Sequence, residues 1–163
     1  MAKISAELRE KNKKKYDQVI LEMFLAEGWD SITLNTVSAK LDIRKSTVQG
    51  YYPAKSNFAE ALSGKVFPRA MKELDFQSPE QFIESWKNSL IESKMFKMVI
   101  HMLVSNATRS DTSAMTLVGL GRLKQLLTNK FGEKNADNIM YHVLGLSVIK
   151  LAGDTVNLSE IDD

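Results

Sequence analysis

The 163-residue sequence contains no cysteine at all. A chain without thiols forms no disulfide and no thiolate metal site, and it suits a reducing environment. Histidine is almost as scarce, since His101 and His142 are the only two. This number excludes a metal site built from several imidazoles. We therefore expect no metal in this protein.

Long apolar runs are also missing. No uninterrupted apolar stretch approaches the roughly 20 residues that a helix needs to cross a bilayer. The first residues lead into a charged segment and do not predict a secretory signal. The composition is that of a soluble globular protein, with 44% hydrophobic and 26% charged residues. These features predict a cytoplasmic protein with no membrane partner.

Catalytic signatures are absent as well. The sequence shows no recognisable grouping of serine, histidine and acid, no paired-carboxylate pattern and no glycine-rich phosphate loop. Asp137 and His142 fall within one predicted helix, but their spacing matches no catalytic pair. We expect a protein that is not an enzyme and uses no cofactor.

Charge of one sign is not in large excess, since the formal net charge is +2. Its distribution is more informative. Four lysines lie between positions 11 and 15, and Arg44, Lys45 and Lys55 form a second basic group. A lysine run is most often a solvated helix face, so it indicates nucleic-acid binding only alongside other features.

What the sequence has in abundance is helical periodicity. An apolar stripe over residues 16–24 predicts an amphipathic helix that ends at Gly28. Thr33 offers an N-cap hydroxyl to a second, short helix. A fourth helix is predicted to begin about Lys55 and to kink or end at Pro68.

The second half of the chain predicts further helices. Ser78, Pro79 and Gln81 indicate a helix start, with a capping hydroxyl and a proline in the first helical position. No alternating strand pattern of useful length occurs, so the predicted fold class is all-α. We expect two helical domains, one over 1–66 and one over 67–163. The other predicted elements are a buried helix over 95–103, a loop over 105–113, and helices over 115–131 and 135–151.

The segment from Leu34 to Tyr52 is the least generic part of the sequence. Two short helices joined by a three-residue turn can pack at about a right angle only when the side chains between them are of suitable size. Ser38 supplies a small side chain at the crossing, and Asp42 is expected in the left-handed region at a cost of order 1 kcal/mol. The same spacing occurs in helical bundles that bind no DNA. The side chains left exposed on the second helix would suit base edges and phosphates: Arg44, Lys45, Ser46, Thr47, Gln49 and Gly50.

Several anchors around this segment agree in spacing. An apolar helix ends in phenylalanine before a Glu-Gly-aromatic corner, a threonine opens the second helix, aromatics end the third, and a lysine follows. These anchors are Phe24, Glu27-Gly28-Trp29, Thr33, Val48, Tyr52 and Lys55. Over about residues 10–65 the sequence thereby resembles the N-terminal helix-turn-helix domain of TetR-family transcriptional regulators. It departs from the family at Asp42, where glycine is usual, and at Gln49, where tyrosine is usual.

The resemblance implies a homodimeric repressor that binds a palindromic DNA operator. Carried over by position, it implies that Lys45, Ser46 and Thr47 approach base edges in the major groove. It further implies that phosphates are held by Thr33, Tyr51 and Lys55. The early lysines would add non-specific attraction to DNA.

The resemblance also implies a hydrophobic effector pocket in the second domain, where methionines repack around irregular ligands. The residues expected to line it are Phe82, Trp86, Met98, Met102 and Met115. The alternative is that they are simply core. In that case the protein is a TetR-like DNA-binding dimer that has no small-molecule ligand and is controlled by, or docks, a protein partner.

The last two predicted helices are expected to form the dimer interface. Two such hairpins from symmetric partners would build a four-helix bundle. The alternative is that their apolar stripes are buried within one subunit. The two stripes are Leu120, Leu123 and Leu127, and Ile139, Val143 and Leu146.

Overall fold

A computed structural model describes residues 4–112 and 114–153 of the chain. Every regular element in these ranges is helical, which confirms the predicted all-α class. The chain divides into two compact units between Val66 and Phe67. Within the same ranges, no helix combines the length and the apolar character needed to cross a membrane.

Over the described residues 4–66, the first unit contains four α-helices. Ser5 caps α1 by accepting a hydrogen bond from the backbone N–H of Leu8, and Gly28 ends it with a φ of 86°. The core of the unit lies between α1 and the shorter helices, with Phe24, Val37 and Val48 fully buried. The helices are α1 (Ala6–Glu27), α2 (Leu34–Leu41), α3 (Lys45–Tyr51) and α4 (Ala59–Leu62), with 3₁₀ turns at Trp29–Ser31 and Lys55–Phe58.

The end of the first unit differs from the prediction. A 3₁₀ turn over Lys55–Phe58 precedes α4, which ends at Leu62. Gly64 then adopts a left-handed conformation with a φ of 70°. Pro68 lies instead in the first turn of the following helix, where a missing N–H costs no hydrogen bond. The predicted helix end at Pro68 is therefore wrong, because the chain leaves the helix before Gly64.

In the part of the second unit that the structure describes, there are five α-helices. Ser78 accepts a hydrogen bond from the N–H of Gln81 at 3.1 Å and Pro79 is the first helical residue, as predicted. The seventh helix runs to Ala107, past the predicted start of the loop at residue 105. Residue 113, the end of that predicted loop, lies outside the described residues. The helices are α5 (Phe67–Met71), α6 (Pro79–Glu92), α7 (Lys94–Ala107), α8 (Ala114–Phe131) and α9 (Glu133–Gly153).

The core of the second unit is built around Trp86. Its ring centroid lies 5.8 Å from that of Phe82 and 5.1 Å from that of Phe96. The indole Nε1–H donates to Ser147 Oγ at 2.9 Å, and this hydroxyl donates to the carbonyl of Val143 at 2.6 Å. These bonds satisfy the buried polar atoms and join α6 to α9.

Candidate nucleic-acid interface

The N-terminus of α2 carries a reciprocal cap. Thr33 Oγ1 accepts a hydrogen bond from the N–H of Thr36 at 3.1 Å, and Thr36 Oγ1 accepts one from the N–H of Thr33 at 2.9 Å. Thr33 is therefore the predicted N-cap. The Thr33 hydroxyl, which the sequence analysis assigned to a phosphate contact, therefore accepts a hydrogen bond in this cap.

The turn between α2 and α3 is made by residues 42–44. Asp42 has a φ of 53° and a ψ of 46°, which confirms the predicted left-handed conformation. Its N–H and that of Ile43 close the end of α2, the latter by donating to the carbonyl of Ser38 at 3.1 Å. Ser38 is buried at this corner, as the sequence predicted for a small residue. The tight turn thus fixes the direction in which α3 leaves.

α3 is anchored by Val48 and followed by Tyr52, both fully buried. The side chain of its N-cap residue, Arg44, forms no capping hydrogen bond within the described residues. The opposite face carries the residues that sequence reasoning singled out, with Thr47 half-buried and the others exposed. The exposed set is Arg44, Lys45, Ser46, Gln49 and Gly50.

Arg9, which sequence reasoning missed, contacts the C-terminal end of α3. Its Nη2 donates to the carbonyl of Gly50 at 2.7 Å, and its guanidinium lies 4.4 Å from the centroid of the Tyr51 ring. A cation near the last carbonyls of a helix is stabilising, as is a guanidinium over an aromatic face. The signal in the sequence was the spacing of seven residues between Arg9 and Tyr16, which puts both on one face of α1.

Tyr51 is only 9% exposed. Its ring meets that of Tyr16 edge-on, with centroids 5.0 Å apart, and its hydroxyl lies 3.4 Å from Asn12 Nδ2. The side chain predicted to contact a phosphate is therefore held in place by α1.

Lys55 opens a 3₁₀ turn and not the α-helix that sequence reasoning expected. Its Nζ lies 5.3 Å from the centroid of the Trp29 ring, so the ammonium stands over an aromatic face. The start of the same turn is capped by Asn57, whose Oδ1 accepts a hydrogen bond from the N–H of Ala54 at 2.8 Å. The Glu-Gly-aromatic corner and the lysine thus meet in space.

Behind α3, Tyr52 donates to Asp17 Oδ1 at 2.5 Å. Lys13 Nζ reaches the same carboxylate at 2.7 Å and lies 4.4 Å from the centroid of the Tyr52 ring. Burial, reinforced by the hydrogen bond with Asp17, raises the pKa of Tyr52 far above its usual range. Lys13 is therefore a structural member of the early lysine run.

The lysine run divides by environment. Lys14 forms an exposed ion pair with Glu10 at 3.0 Å, whereas Lys11 and Lys15 extend into solvent. Over residues 1–66 the chain has eleven lysines and arginines against eight acids, a formal charge of +3, while the remainder carries −1. The positive charge of the protein is thus concentrated in the unit that contains α3.

The residues predicted to line an effector pocket have different environments. Phe82 and Trp86 are fully buried, and the ring of Phe82 also packs against Phe76 at 5.1 Å and Phe131 at 6.2 Å. Met98 and Met102 of α7 are half-buried, and the side chain of Met115 lies outside the described part of the chain. A pocket at these residues stays a prediction.

The two apolar stripes predicted to form the dimer interface are packed inside the second unit. Leu123, Leu127 and Val143 are fully buried and Ile139 nearly so, while Leu120 and Leu146 are half-buried. The four buried residues therefore belong to the core of the second unit, as the alternative of burial within one subunit expects, and a dimer through the last two helices stays a prediction. Among the described side chains, the large apolar ones exposed on these helices are a different set: Leu117, Val118, Tyr141, Val148 and Ile149.

The fold is thus an all-α arrangement of two helical units, the first carrying two short helices about a tight turn. Comparison with protein families matches residues 63–151 to the tetracycline repressor LuxT C-terminal domain. The match covers more than half of the chain, so the protein belongs to this TetR-like family of transcriptional regulators. A search of curated proteins found no match.

Proposed function

We propose that the protein is a homodimeric transcriptional repressor that reads a palindromic DNA operator with α3. The observation that carries this proposal is the row of short, polar and basic side chains exposed on α3 over a buried anchor at Val48. An exposed helix of this composition suits the major groove, where base edges present donors and acceptors. Lys45, Ser46 and Thr47 would contact bases.

Phosphate contacts would come from the flanks of α3. Thr33, Tyr51 and Lys55 hold this role in the proposal, with Arg44 at the N-terminus of the helix. Tyr51 packs against the Tyr16 ring, and the Lys55 ammonium lies over the ring of Trp29. These contacts support the proposal, because a side chain that is ordered before binding loses less entropy on binding. The formal charge of +3 on residues 1–66 supports a general attraction to DNA.

A second copy of the chain is proposed to dock on the outer face of α8 and α9. On α9, Tyr141, Gly145, Val148 and Ile149 follow one another at helical spacing, and all are exposed. Such a patch usually marks an interaction surface. A twofold dimer would present two copies of α3 to the two halves of a palindrome.

The ring cluster favours the alternative without an apolar effector. Phe82, Trp86 and Phe96 fill the centre of the second unit with rings in mutual contact. An apolar ligand would have to displace them, at the cost of core packing. We therefore propose a DNA-binding dimer whose Phe82 and Trp86 are structural.

The experiment that tests the proposal is selection of genomic DNA fragments by the purified full chain at moderate salt. We expect recovered fragments to share a twofold-symmetric site with half-sites about one helical turn apart. Recovery of no common site, or of an unsymmetric one, would overturn the proposal.

A further inference from the structure

Gln49 lies on the exposed face of α3, four positions after Lys45 and therefore one helical turn further along the same face. Within the part of the chain that the structure describes, its side-chain amide has no hydrogen-bond partner. Gln18, an exposed glutamine on α1, differs in this respect, because its Nε2 donates to Glu22 Oε1 at 3.0 Å. The amide of Gln49 is thus exposed, with both its donor and its acceptor available.

The backbone on either side of Gln49 is held in place. Val48, which precedes it, is fully buried. The carbonyl of Gly50, which follows it, accepts a hydrogen bond from Arg9 Nη2 at 2.7 Å. These contacts fix the point from which the Gln49 side chain leaves α3, so that only its own rotamers have to be ordered when it binds a partner.

Gly50 leaves the surface beside Gln49 bare. It lies within α3, although glycine stabilises a helix less than any residue except proline. Apart from its chain neighbours and the backbone of the helix itself, no described atom lies within 4 Å of the position that a Cβ would take. Packing within the chain therefore does not require glycine here. A bare backbone does allow another molecule to approach closely, so the glycine points to a partner surface against this end of α3.

The amide of a glutamine presents a hydrogen-bond donor and an acceptor side by side. Adenine presents the complementary pair in the major groove, where the acceptor N7 lies next to the donor N6–H. Guanine offers two acceptors at N7 and O6, and a phosphate offers acceptors only, so either would leave the carbonyl oxygen of the amide without a donor. Adenine is therefore the base edge that satisfies both sides of the Gln49 amide.

We propose that Gln49 is a specificity-determining residue that reads one adenine in each half-site of the operator, with Nε2–H donating to N7 and Oε1 accepting from N6–H. This inference rests on the proposed function, since it requires α3 to enter the major groove. Lys45 carries donors only and suits N7 and O6 of guanine. Cβ atoms four residues apart on a helix are about 5–6 Å apart, and base pairs rise by about 3.4 Å, so the adenine should lie within about two base pairs of the base that Lys45 contacts.

The test is selection of binding sites from random-sequence duplex DNA by the purified full chain, as wild type and as Gln49→Ala. We expect the wild type to select a palindrome with an adenine at one position of each half-site, and Gln49→Ala to lose the preference at that position alone. Another base at that position should weaken wild-type binding by about tenfold, the range for one bidentate base contact, and leave Gln49→Ala nearly unchanged. Alanine favours helix more than glutamine does, so the variant should keep its helix content by circular dichroism.

A single-atom change in the DNA isolates the contact. In 7-deazaadenine the acceptor N7 is replaced by carbon, while base pairing is kept. This base at the selected position should weaken the binding of wild type and not that of Gln49→Ala, as in a double-mutant cycle. The matched control is Gln18→Ala, which makes the same substitution on α1 and should keep both the base preference and the sensitivity to 7-deazaadenine.

Gly50→Ala tests the close approach independently of the amide. It should unfold at a higher temperature than wild type, because alanine favours helix. It should nevertheless bind every sequence several-fold more weakly, because the added methyl group would stand between α3 and the DNA. A Gly50→Ala variant that binds at full strength would contradict the close approach on which the proposal depends.

A palindrome with the same base preferences for wild type and Gln49→Ala would overturn this inference alone. So would an equal effect of 7-deazaadenine on the two proteins, or a change of preference in Gln18→Ala that matches the one in Gln49→Ala. Recovery of no common site by the wild type would instead overturn the proposed function, and this inference with it.

Discussion

Tyr52 Oη donates to Asp17 Oδ1 at 2.5 Å across 35 positions of sequence, and so joins the end of α3 to the middle of α1. Lys13 completes the group, because its ammonium reaches the same carboxylate and covers the Tyr52 ring. The base of α3 is therefore held by a charged hydrogen bond in addition to apolar contacts. Its removal should be measurable as a loss of stability.

Tyr52→Phe should lower the free energy of unfolding by about 2 kcal/mol, the range for a hydrogen bond to a charged group. Tyr51→Phe is the matched control and should cost less, since its hydroxyl is only within 3.4 Å of Asn12. Denaturant unfolding followed by circular dichroism measures both. Equal losses in the two variants would contradict the assigned role of Tyr52.

The same bond predicts a pH dependence. Burial raises the pKa of Tyr52 in the folded state, whereas the unfolded side chain ionises near pH 10. Its stabilising contribution is therefore complete below about pH 10 and is lost as the pH rises above it. Between about pH 10 and 11 the wild type should lose stability more steeply than Tyr52→Phe. Parallel slopes would show that Tyr52 ionises as readily in the folded state.

Asp42→Gly should raise the free energy of unfolding by up to about 1 kcal/mol, because glycine adopts the left-handed conformation without steric cost. Asp42→Ala should lower it, since alanine bears the same strain without a side chain that can hydrogen-bond locally. Thermal unfolding of both variants provides the measurement. An alanine variant as stable as the glycine variant would mean that the turn is not strained.

Arg9→Ala should weaken operator binding several-fold by releasing Gly50 and Tyr51, if the proposed interface is correct. Arg9 acts here as a positioning residue, so the slope of log affinity against log salt should stay unchanged. Lys15→Ala, which removes an exposed lysine from the same helix, should instead reduce that slope, by up to about 0.9 if it contacts a phosphate. Fluorescence anisotropy at several salt concentrations separates the two. A reduced slope for Arg9→Ala would make Arg9 a phosphate contact.

Ile149→Glu should convert the proposed dimer to a monomer, because a charge would be buried at the centre of the outer face of α9. Ile149 is 71% exposed within the chain. The control is Ile91→Glu, which places the same charge at a 63% exposed isoleucine on α6 and should leave the dimer intact. Sedimentation at micromolar concentration gives the answer. A wild type that sediments as an 18.4 kDa monomer would end the dimer proposal.

The features that sequence reasoning predicted correctly are local ones. Gly28, Thr33 and Asp42 act through their own backbone conformations or through neighbours three residues away, and such preferences are written in short segments. The all-α class followed for the same reason. The fourth helix was predicted to end at Pro68. It ends earlier, because the chain leaves the helix before Gly64, which adopts a left-handed conformation.

The non-local features were beyond a periodicity argument. Arg9 meets Gly50 across 41 residues, which no local pattern encodes. The stripe that includes Leu123 and Val143 was correctly recognised as apolar, but periodicity does not say whether the same chain or a partner covers it. The exposed face of α9 was not predicted, because Tyr141 and Ile149 do not belong to the apolar stripe of Ile139, Val143 and Leu146.

The most direct test of the central claim is to repeat the genomic selection with the Lys45→Ala, Thr47→Ala double variant and with Lys55→Ala. If α3 reads the operator, wild-type protein and Lys55→Ala should recover the same palindrome, the latter with weaker binding at every sequence. The double variant should keep the half-site spacing but change the preferred bases at defined positions. An unchanged preference in the double variant, or an altered one in Lys55→Ala, would contradict the assignment of α3 as the element that reads DNA.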